Sequence, residues 1–442
     1  MARKFLSFLG TGRYVVCNYR FQGETVNNVR YVQEAMIDIY CKDFNSTDEI
    51  VIFLTDNAKK KNWDMHTIDN QEAEGLESRL DTLLSRREAE NRPKVRSIHP
   101  LPEGASEDDI WQIFQSIVNI IEDGDQIVFD ITHAFRSIPM LALIVLNYSR
   151  VMKDVGIEGI YYGAFETLGS VLDAQQIPIE KRTAEIFDLT PFINLMDWTS
   201  AIENFLSSGD TSKIQKLSDQ GIRPIMKKYQ RSSEQITNLR KFSHELNHLS
   251  QSIHSCRCPD IYNFDSRKIQ NLVDACRNEQ EPILKPLIPL LEKIPQKIES
   301  FSHQGQDNEI KTGLAAVKWC IDHNLIQQGF TILQESIVSS LVVKLFGKNE
   351  IYSLVKRNYI SKSMIIVAGN IPEEEWDPGY DGNIEELKKA IHLIDKGFAI
   401  EYRDLSLLRN DINHGGCKAD GFMEPKKLKK KLIHYYSYTL NI

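Results

Sequence analysis

Several broad classes are excluded by what this 442-residue sequence lacks. No stretch approaches the roughly 18 consecutive apolar residues that a membrane span needs. The opening MARKFLSFLGTGRY carries two early basic residues, but its apolar run is too short for a secretion signal and leads straight into Gly10-Thr11-Gly12. Seven cysteines, an odd number scattered along a long chain, fit reduced thiols rather than a disulfide scaffold. A cytoplasmic protein is therefore expected. Positive charge is not in excess: 53 Lys and Arg against 61 Asp and Glu give a formal net charge of -8. That argues against nonspecific coating of nucleic acid, though a local basic groove remains compatible with an RNA substrate. There is no Walker A pattern, no internal repeat, and no helix-turn-helix with a basic recognition helix.

The chain is too long for one ordinary core, so at least two domains are expected. Up to about residue 190, short apolar runs alternate with amphipathic stretches. The runs are Phe5 to Leu9, Ile50 to Leu54, Val95 to Ile98, Ile127 to Phe129 and Ile160 to Tyr162. Between them, Leu76, Leu80, Leu83 and Leu84 recur at helical spacing, as do Ile110, Ile113, Phe114, Ile117 and Ile121. The pattern predicts an α/β domain over 1–190, doubly wound around a mostly parallel sheet. From about residue 195 strand signals fade. Trp198, Ile202, Phe205 and Leu206 open a series of helical stripes, so 191–442 is expected to be all-α.

Polar residues gather just past the predicted strands, where such folds bind ligands: Gly10 to Tyr14, Thr55-Asp56-Asn57, Thr132 to Arg136, and Tyr162 to Glu166. A glycine pair after a strand lets backbone N–H groups approach a phosphate. The same fragment also reads as a plain strand-exit turn. In DITHAFRSIP, Asp130 to Pro139, Thr132, His133 and Arg136 stand near a helix start, where anions are favoured. Arg136 suits bidentate pairing with phosphate, and His133 suits hydrogen bonding or stacking on a base. The competing reading has Asp130 and Thr132 capping the helix, with Arg136 on the surface.

In order, LGTGRY, DITHAFRSIP and YYGAF resemble the CRISPR-associated Rossmann-fold, or CARF, domain over roughly residues 3–190, in the branch marked by a DxTH motif. Ala134 stands where many relatives have glycine. The resemblance implies a Rossmann-like sensor with a site built across a homodimer that binds a cyclic oligoadenylate made by a type III CRISPR complex, with cyclic tetra-adenylate as the expected ring. On matching positions it implies Thr11, Gly12, Tyr14, Thr132, His133 and Arg136 as binding residues. It leaves open a slow cleavage of the ligand within the same pocket.

In the second half, LSLLRNDINHGG carries an apolar stripe of Leu405, Leu408 and Ile412, and a helix stop at Gly415-Gly416. Five positions separate Arg409 from His414, roughly 140° around an ideal helix, so a site using both needs the helix end, a bend or a second subunit. Metal-free RNA cleavage fits these groups, with Arg409 neutralising the transition state, Asn410 orienting, and His414 transferring a proton. An arginine on the solvent face and a capping histidine fit the same letters. Behind a CARF-like domain, the fragment resembles the RxxxxH motif of HEPN ribonucleases. This implies Arg409, Asn410 and His414 in a composite dimer site that cuts single-stranded RNA in antiviral defence, with no metal or cofactor required.

Other motifs compete. His244-Glu245-Leu246-Asn247-His248 is an HExxH, the zincin pattern, with His254 at the third-ligand spacing but Gln251 where the extended motif has glycine. A nucleotide-activated zinc protease is the alternative enzyme, and a nucleotide-sensing regulator is the non-enzymatic one. Cys256-Arg257-Cys258 lacks the partner pair of a zinc knuckle. PKKLKKKL, Pro425 to Leu432, reads either as a track steering RNA or as a solvated lysine face.

Overall fold

The computed structural model describes residues 2–68, 71–133, 138–220, 234–277, 285–301, 308–379, 382–417 and 423–440. The chain divides into two compact units, Met1–Ile193 and Asn194–Ile442.

The first unit contains β1 (Arg3–Phe8), β2 (Cys17–Phe21), β3 (Glu24–Val29), β4 (Glu49–Thr55), β5 (His66–Ile68), β6 (Gln71–Ala73), β7 (Lys94–Leu101), β8 (Gln126–Asp130), β9 (Gly156–Gly163) and β10 (Thr183–Asp188). β5 and β6 form a separate antiparallel hairpin; the other eight make one sheet in the order β3-β2-β10-β9-β8-β1-β4-β7. The five strands expected from apolar runs are β1, β4, β7, β8 and β9, and they pair in parallel. β2, β3 and β10 extend the sheet beyond β9. Their faint signal has a physical reason: β3 buries only Val29, so it carries no apolar run to recognise.

Side chains alternate across the sheet. Phe5, Ile50, Ile52 and Leu54 pack beneath the helices Val32–Tyr40 and Leu76–Ser85. Leu6, Phe8, Val51 and Phe53 pack beneath Glu107–Ile120 and Ile138–Lys153. Helices thus cover both faces, the Rossmann-like α/β architecture. Full burial of each such side chain contributes about 1.5–3 kcal/mol.

The outer face of the helix Ile138–Lys153 is unusual. Met140, Ile144, Tyr148 and Met152 recur every fourth residue and are all exposed, Met140 at 71%, and Val151 beside them is 81% exposed. Phe114 meets Tyr148 edge-on at 5.4 Å and the exposed Trp111 at 5.7 Å, extending the stripe onto the neighbouring helix. Contiguous exposed apolar surface of this kind marks an interaction face.

The second unit is helical, and its described residues contain no strand. Its central helix, Ile326–Phe346, buries Phe330, Leu333, Ile337 and Val342. Close approach of the helix Pro425–Thr439 requires Gly329, where a Cβ would stand 2.5 Å from Leu432 Cδ2. By length and composition Ile326–Phe346 is apolar enough to cross a membrane, contrary to the expectation that no stretch is. Over half of that window is buried within the unit, the packing of a core helix.

Candidate functional site

The first unit's chain order fixes where a ligand crevice opens. After β1 the chain first builds β2 and β3 at the far edge; of the parallel strands, it then adds β4 and β7 on one side of β1, and β8 and β9 on the other. The order therefore reverses between β1 and β8, and crevices form beyond the carboxyl ends of strands at such a switch point. β1 and β8 run in parallel register, Ser7 opposite Asp130. Leu9 to Tyr14 and Ile131 to His133 consequently leave the sheet side by side.

Buried hydrogen bonds lock this junction. Asp130, fully buried, accepts from the Ser7 hydroxyl at 2.7 Å and from the Thr132 N–H at 2.9 Å. Gln33 Nε2 donates to Ser7 Oγ at 3.2 Å and to the Phe8 carbonyl at 3.0 Å. Burial pushes the Asp130 carboxyl up, against the opposing effect of the Thr132 and Ser7 hydrogen bonds. The Thr132 hydroxyl accepts from the Gly163 N–H at 2.8 Å and so ties β8 to the end of β9. Asp130 and Thr132 thus join neighbouring strands; the residues leading into the following helix, on which the capping reading depends, lie outside the described residues.

The glycine loop packs directly on His133. A Cβ at Gly10 would lie 3.0 Å from the Tyr14 hydroxyl and 3.4 Å from His133 Cβ, so a larger residue there would press on both side chains. The Gly10 N–H donates to the Tyr14 hydroxyl at 2.9 Å, and the Tyr14 and His133 rings meet edge-on at 4.6 Å. Burial pushes the His133 imidazole down to about 4, so it is neutral at physiological pH. Its Nε2 is sealed from solvent and has no hydrogen-bond partner. Burial also holds the Tyr14 phenol well above its ordinary value, hence protonated.

Two adjoining cavities open here. The larger, about 590 Å³, is lined by Thr11, Gly12, Arg13 and Tyr14 from the glycine loop, by Arg30, and by Lys60, Lys61, Asn62, His66 and Thr67 from the segment after β4. The smaller, about 60 Å³, includes Tyr14, Tyr19, Arg30, His133 and Phe165. Four cationic side chains and no carboxylate stand among the described residues of the larger lining, which suits a polyanion. Asn62, itself buried, donates from Nδ2 to the carbonyls of Gly10 at 2.8 Å and Gly12 at 3.0 Å and holds the loop in shape. Arg30 Nε and His66 Nε2 are sealed from solvent without partners.

Of the expected binding residues, Thr11, Gly12 and Tyr14 line the larger cavity and His133 the smaller. Thr132 lines neither, its hydroxyl being engaged by Gly163. Arg136 lies outside the described residues. Sequence reasoning missed Arg30, Lys60, Lys61, Asn62 and His66. The lysine triplet after Thr55-Asp56-Asn57 offered a signal; Arg30 offered none. Asp56 and Asn57, expected at the strand-end cluster, instead face His99 at 2.7 Å and Glu103 at 2.9 Å.

In the helical unit, Arg409 and Asn410 lie in the last turns of the helix Lys396–Asn413, and His414 is its C-cap. Gly415 and Gly416 adopt positive φ, and their N–H groups cap the carbonyls of Ile412 and Asp411. Arg409 Nη1 approaches Asn410 Oδ1 at 3.4 Å, while its Nε is sealed without a partner. His414 is exposed, and its imidazole has no partner among the described residues. His244 and His248 of the HExxH are exposed on the helix Glu234–His254, whereas His254 Nδ1 meets the Ser250 carbonyl at 2.7 Å. No metal-holding group of three His, Cys, Asp or Glu occurs among the described residues. Lys426, Lys427, Lys430 and Lys431 are exposed while Leu432 is buried, the arrangement of a solvated lysine face.

Comparison with known proteins agrees with the fold. A family model described as the CARF domain of the CRISPR system endoribonuclease Csx1 matches residues 4–166. A second, described as the second domain of the CRISPR-associated protein MJ1674, matches residues 194–307. The CRISPR-associated protein MJ1674 of Methanocaldococcus jannaschii is 23% identical over 402 residues, covering 90% of this chain and 54% of that protein. The chain thus spans about half the length of this relative. A solved structure of Enterococcus italicus Csm6 bound to cyclic hexa-2'-fluoro-hexa-dAMP aligns with 99% of this chain and 92% of that one, at 11% identity and a TM-score of 0.45. The Rossmann-like first unit is thus similar to a CARF domain over residues 4–166, and the helical second unit is similar to the second domain of a CRISPR-associated protein over residues 194–307.

Proposed function

We propose that the protein is a homodimeric ribonuclease switched on by a cyclic oligoadenylate, with the first unit as sensor and the helical unit as the cutting domain of HEPN type. The observation that carries the sensor half is the cavity at the β1–β8 switch point, lined by Arg13, Arg30, Lys60 and Lys61 beside the neutral His133. Cations meet the ligand's phosphates, and the unpartnered His133 Nε2 offers a hydrogen bond to a base. Burial keeps His133 neutral, so it meets the ligand as a hydrogen-bonding group rather than as a cation. Thr11, Gly12 and Tyr14 complete the cradle, and the family resemblance adds Arg136.

The exposed stripe of Met140, Ile144, Tyr148 and Met152 supports pairing with a second copy. It lies on the helix that follows the DITH segment, and an uncharged, self-complementary stripe suits an isologous two-fold contact. Replacing Ile144 with Asp is expected to yield monomers in sedimentation analysis; an unchanged dimer removes this face from the proposal.

For cutting, Arg409 and His414 at a helix end supply half of a constellation, and the second copy supplies the other half. A 2'-hydroxyl, its proton passing to solvent water, attacks the neighbouring phosphorus, the bond to the 5'-oxygen breaks, and protonated His414 donates a proton to that leaving oxygen. Arg409 stabilises the charge on the phosphorane oxygens. Ligand binding activates only by favouring the arrangement in which the two halves meet. The decisive experiment incubates labelled single-stranded RNA and the full chain with a panel of cyclic and linear oligoadenylates, including cyclic tetra-adenylate, without added metal. Stimulated cleavage is expected; no stimulation by any member overturns the reading.

A further inference from the structure

One wall of the larger cavity belongs to no recognised motif. It is the π-helical turn Lys59–Trp63 after β4, a backbone form that concentrates at functional sites. Trp63 anchors the turn in the core, and Asn62 joins it to the glycine loop. Lys59 is neutralised by Asp64, whose carboxylate oxygens lie 2.6 and 2.7 Å from its Nζ. Lys60 and Lys61 are exposed, line the cavity and have no ion pair among the described residues. Adjacent uncompensated ammonium groups beside Arg30 repel one another unless an anion joins them. Arg30 Nε and His66 Nε2, buried on residues of the same lining, have no hydrogen-bond partner among the described residues, a condition that a bound ligand or water would relieve.

We propose that Lys60 and Lys61 form a second phosphate-binding edge of the sensor cavity, holding ligand phosphates beyond those at the glycine loop. This rests on the oligoadenylate reading and deepens it. Asn62 is the positioning residue that keeps the two edges at a fixed spacing, because its one nitrogen holds both Gly10 and Gly12 against the turn. A ligand with a single phosphate fills one edge only, so the site favours an oligonucleotide over a mononucleotide.

The test measures dissociation constants of the full chain for cyclic tetra-adenylate and cyclic hexa-adenylate over a series of salt concentrations. Wild type is compared with Lys60→Ala/Lys61→Ala and Lys60→Glu/Lys61→Glu. Both lysines are exposed, so the fold is expected to survive either change. The alanine pair is expected to weaken binding about tenfold per lysine and to lower the salt slope by about one per lysine, with the glutamate pair weaker still. Wild-type affinity and slope in both variants overturn this inference and leave the oligoadenylate reading standing. Failure of wild type to bind either ring overturns both.

Discussion

The two regions that carry chemistry-bearing residues are built in opposite ways. At the β1–β8 junction a single chain closes a walled cavity from the glycine loop, Arg30, the turn after β4 and the end of β8, and seals His133 Nε2, Arg30 Nε and His66 Nε2 inside it. At the end of the helix Lys396–Asn413, Arg409 and His414 stand on one element, with Arg409 half-buried and His414 in solvent. The described walls of that cavity all come from one copy. On the proposed reading, Arg409 and His414 act only once a second copy stands beside them.

The largest test of this contrast is Arg409→Ala or His414→Ala. Each is expected to lower ligand-stimulated RNA cleavage by about 100-fold or more while ligand affinity stays at wild type. Cleavage that survives both reduces the motif to an ordinary helix end. Next, Asn62→Ala strips the donor from two carbonyls, costing about 1–2 kcal/mol, and is expected to weaken ligand binding about tenfold without altering the salt slope. Calorimetry that finds unchanged affinity would show that the glycine loop holds itself.

A smaller effect concerns pH. The folded His133 pKa, about 4, lies below the ordinary value of 6.5, so on acidification the unfolded chain takes the proton first. Stability present above pH 6.5 is therefore lost as pH falls toward 4, on the order of 1–3 kcal/mol. His133→Gln should flatten that limb of the melting-temperature profile; an identical profile shows that His133 is not sealed. The smallest is Glu245→Ala, expected to leave RNA cleavage unchanged and shift stability by less than about 0.5 kcal/mol. A large loss of activity there would revive the zinc reading.

Much of the sensor was legible because its periodicities are local. The five parallel strands announce themselves as apolar runs bounded by polar turns, and Gly10-Thr11-Gly12 and DITH mark where two of them end. β3 escaped because an edge strand with one buried residue has no run to show. Arg30 and Asn62 escaped for a different reason: nothing in their neighbours tells that they reach the glycine loop across 18 and 50 positions of chain. Thr132 misled in the opposite direction, since its hydroxyl reads as a ligand group but is engaged by Gly163, 31 residues away.

The sequence by itself determined the α/β-then-α order, the apolar faces and the chemistry available at each strand and helix end, because these follow from side-chain type and short-range spacing. Only the tertiary structure decided which of those groups meet. Strand order placed the β1 and β8 ends together at the reversal, burial made His133 neutral, and one carboxamide joined the lysine turn to the glycine loop. Such outcomes depend on long-range pairing and on exclusion of water, and neither is encoded in any one stretch of residues.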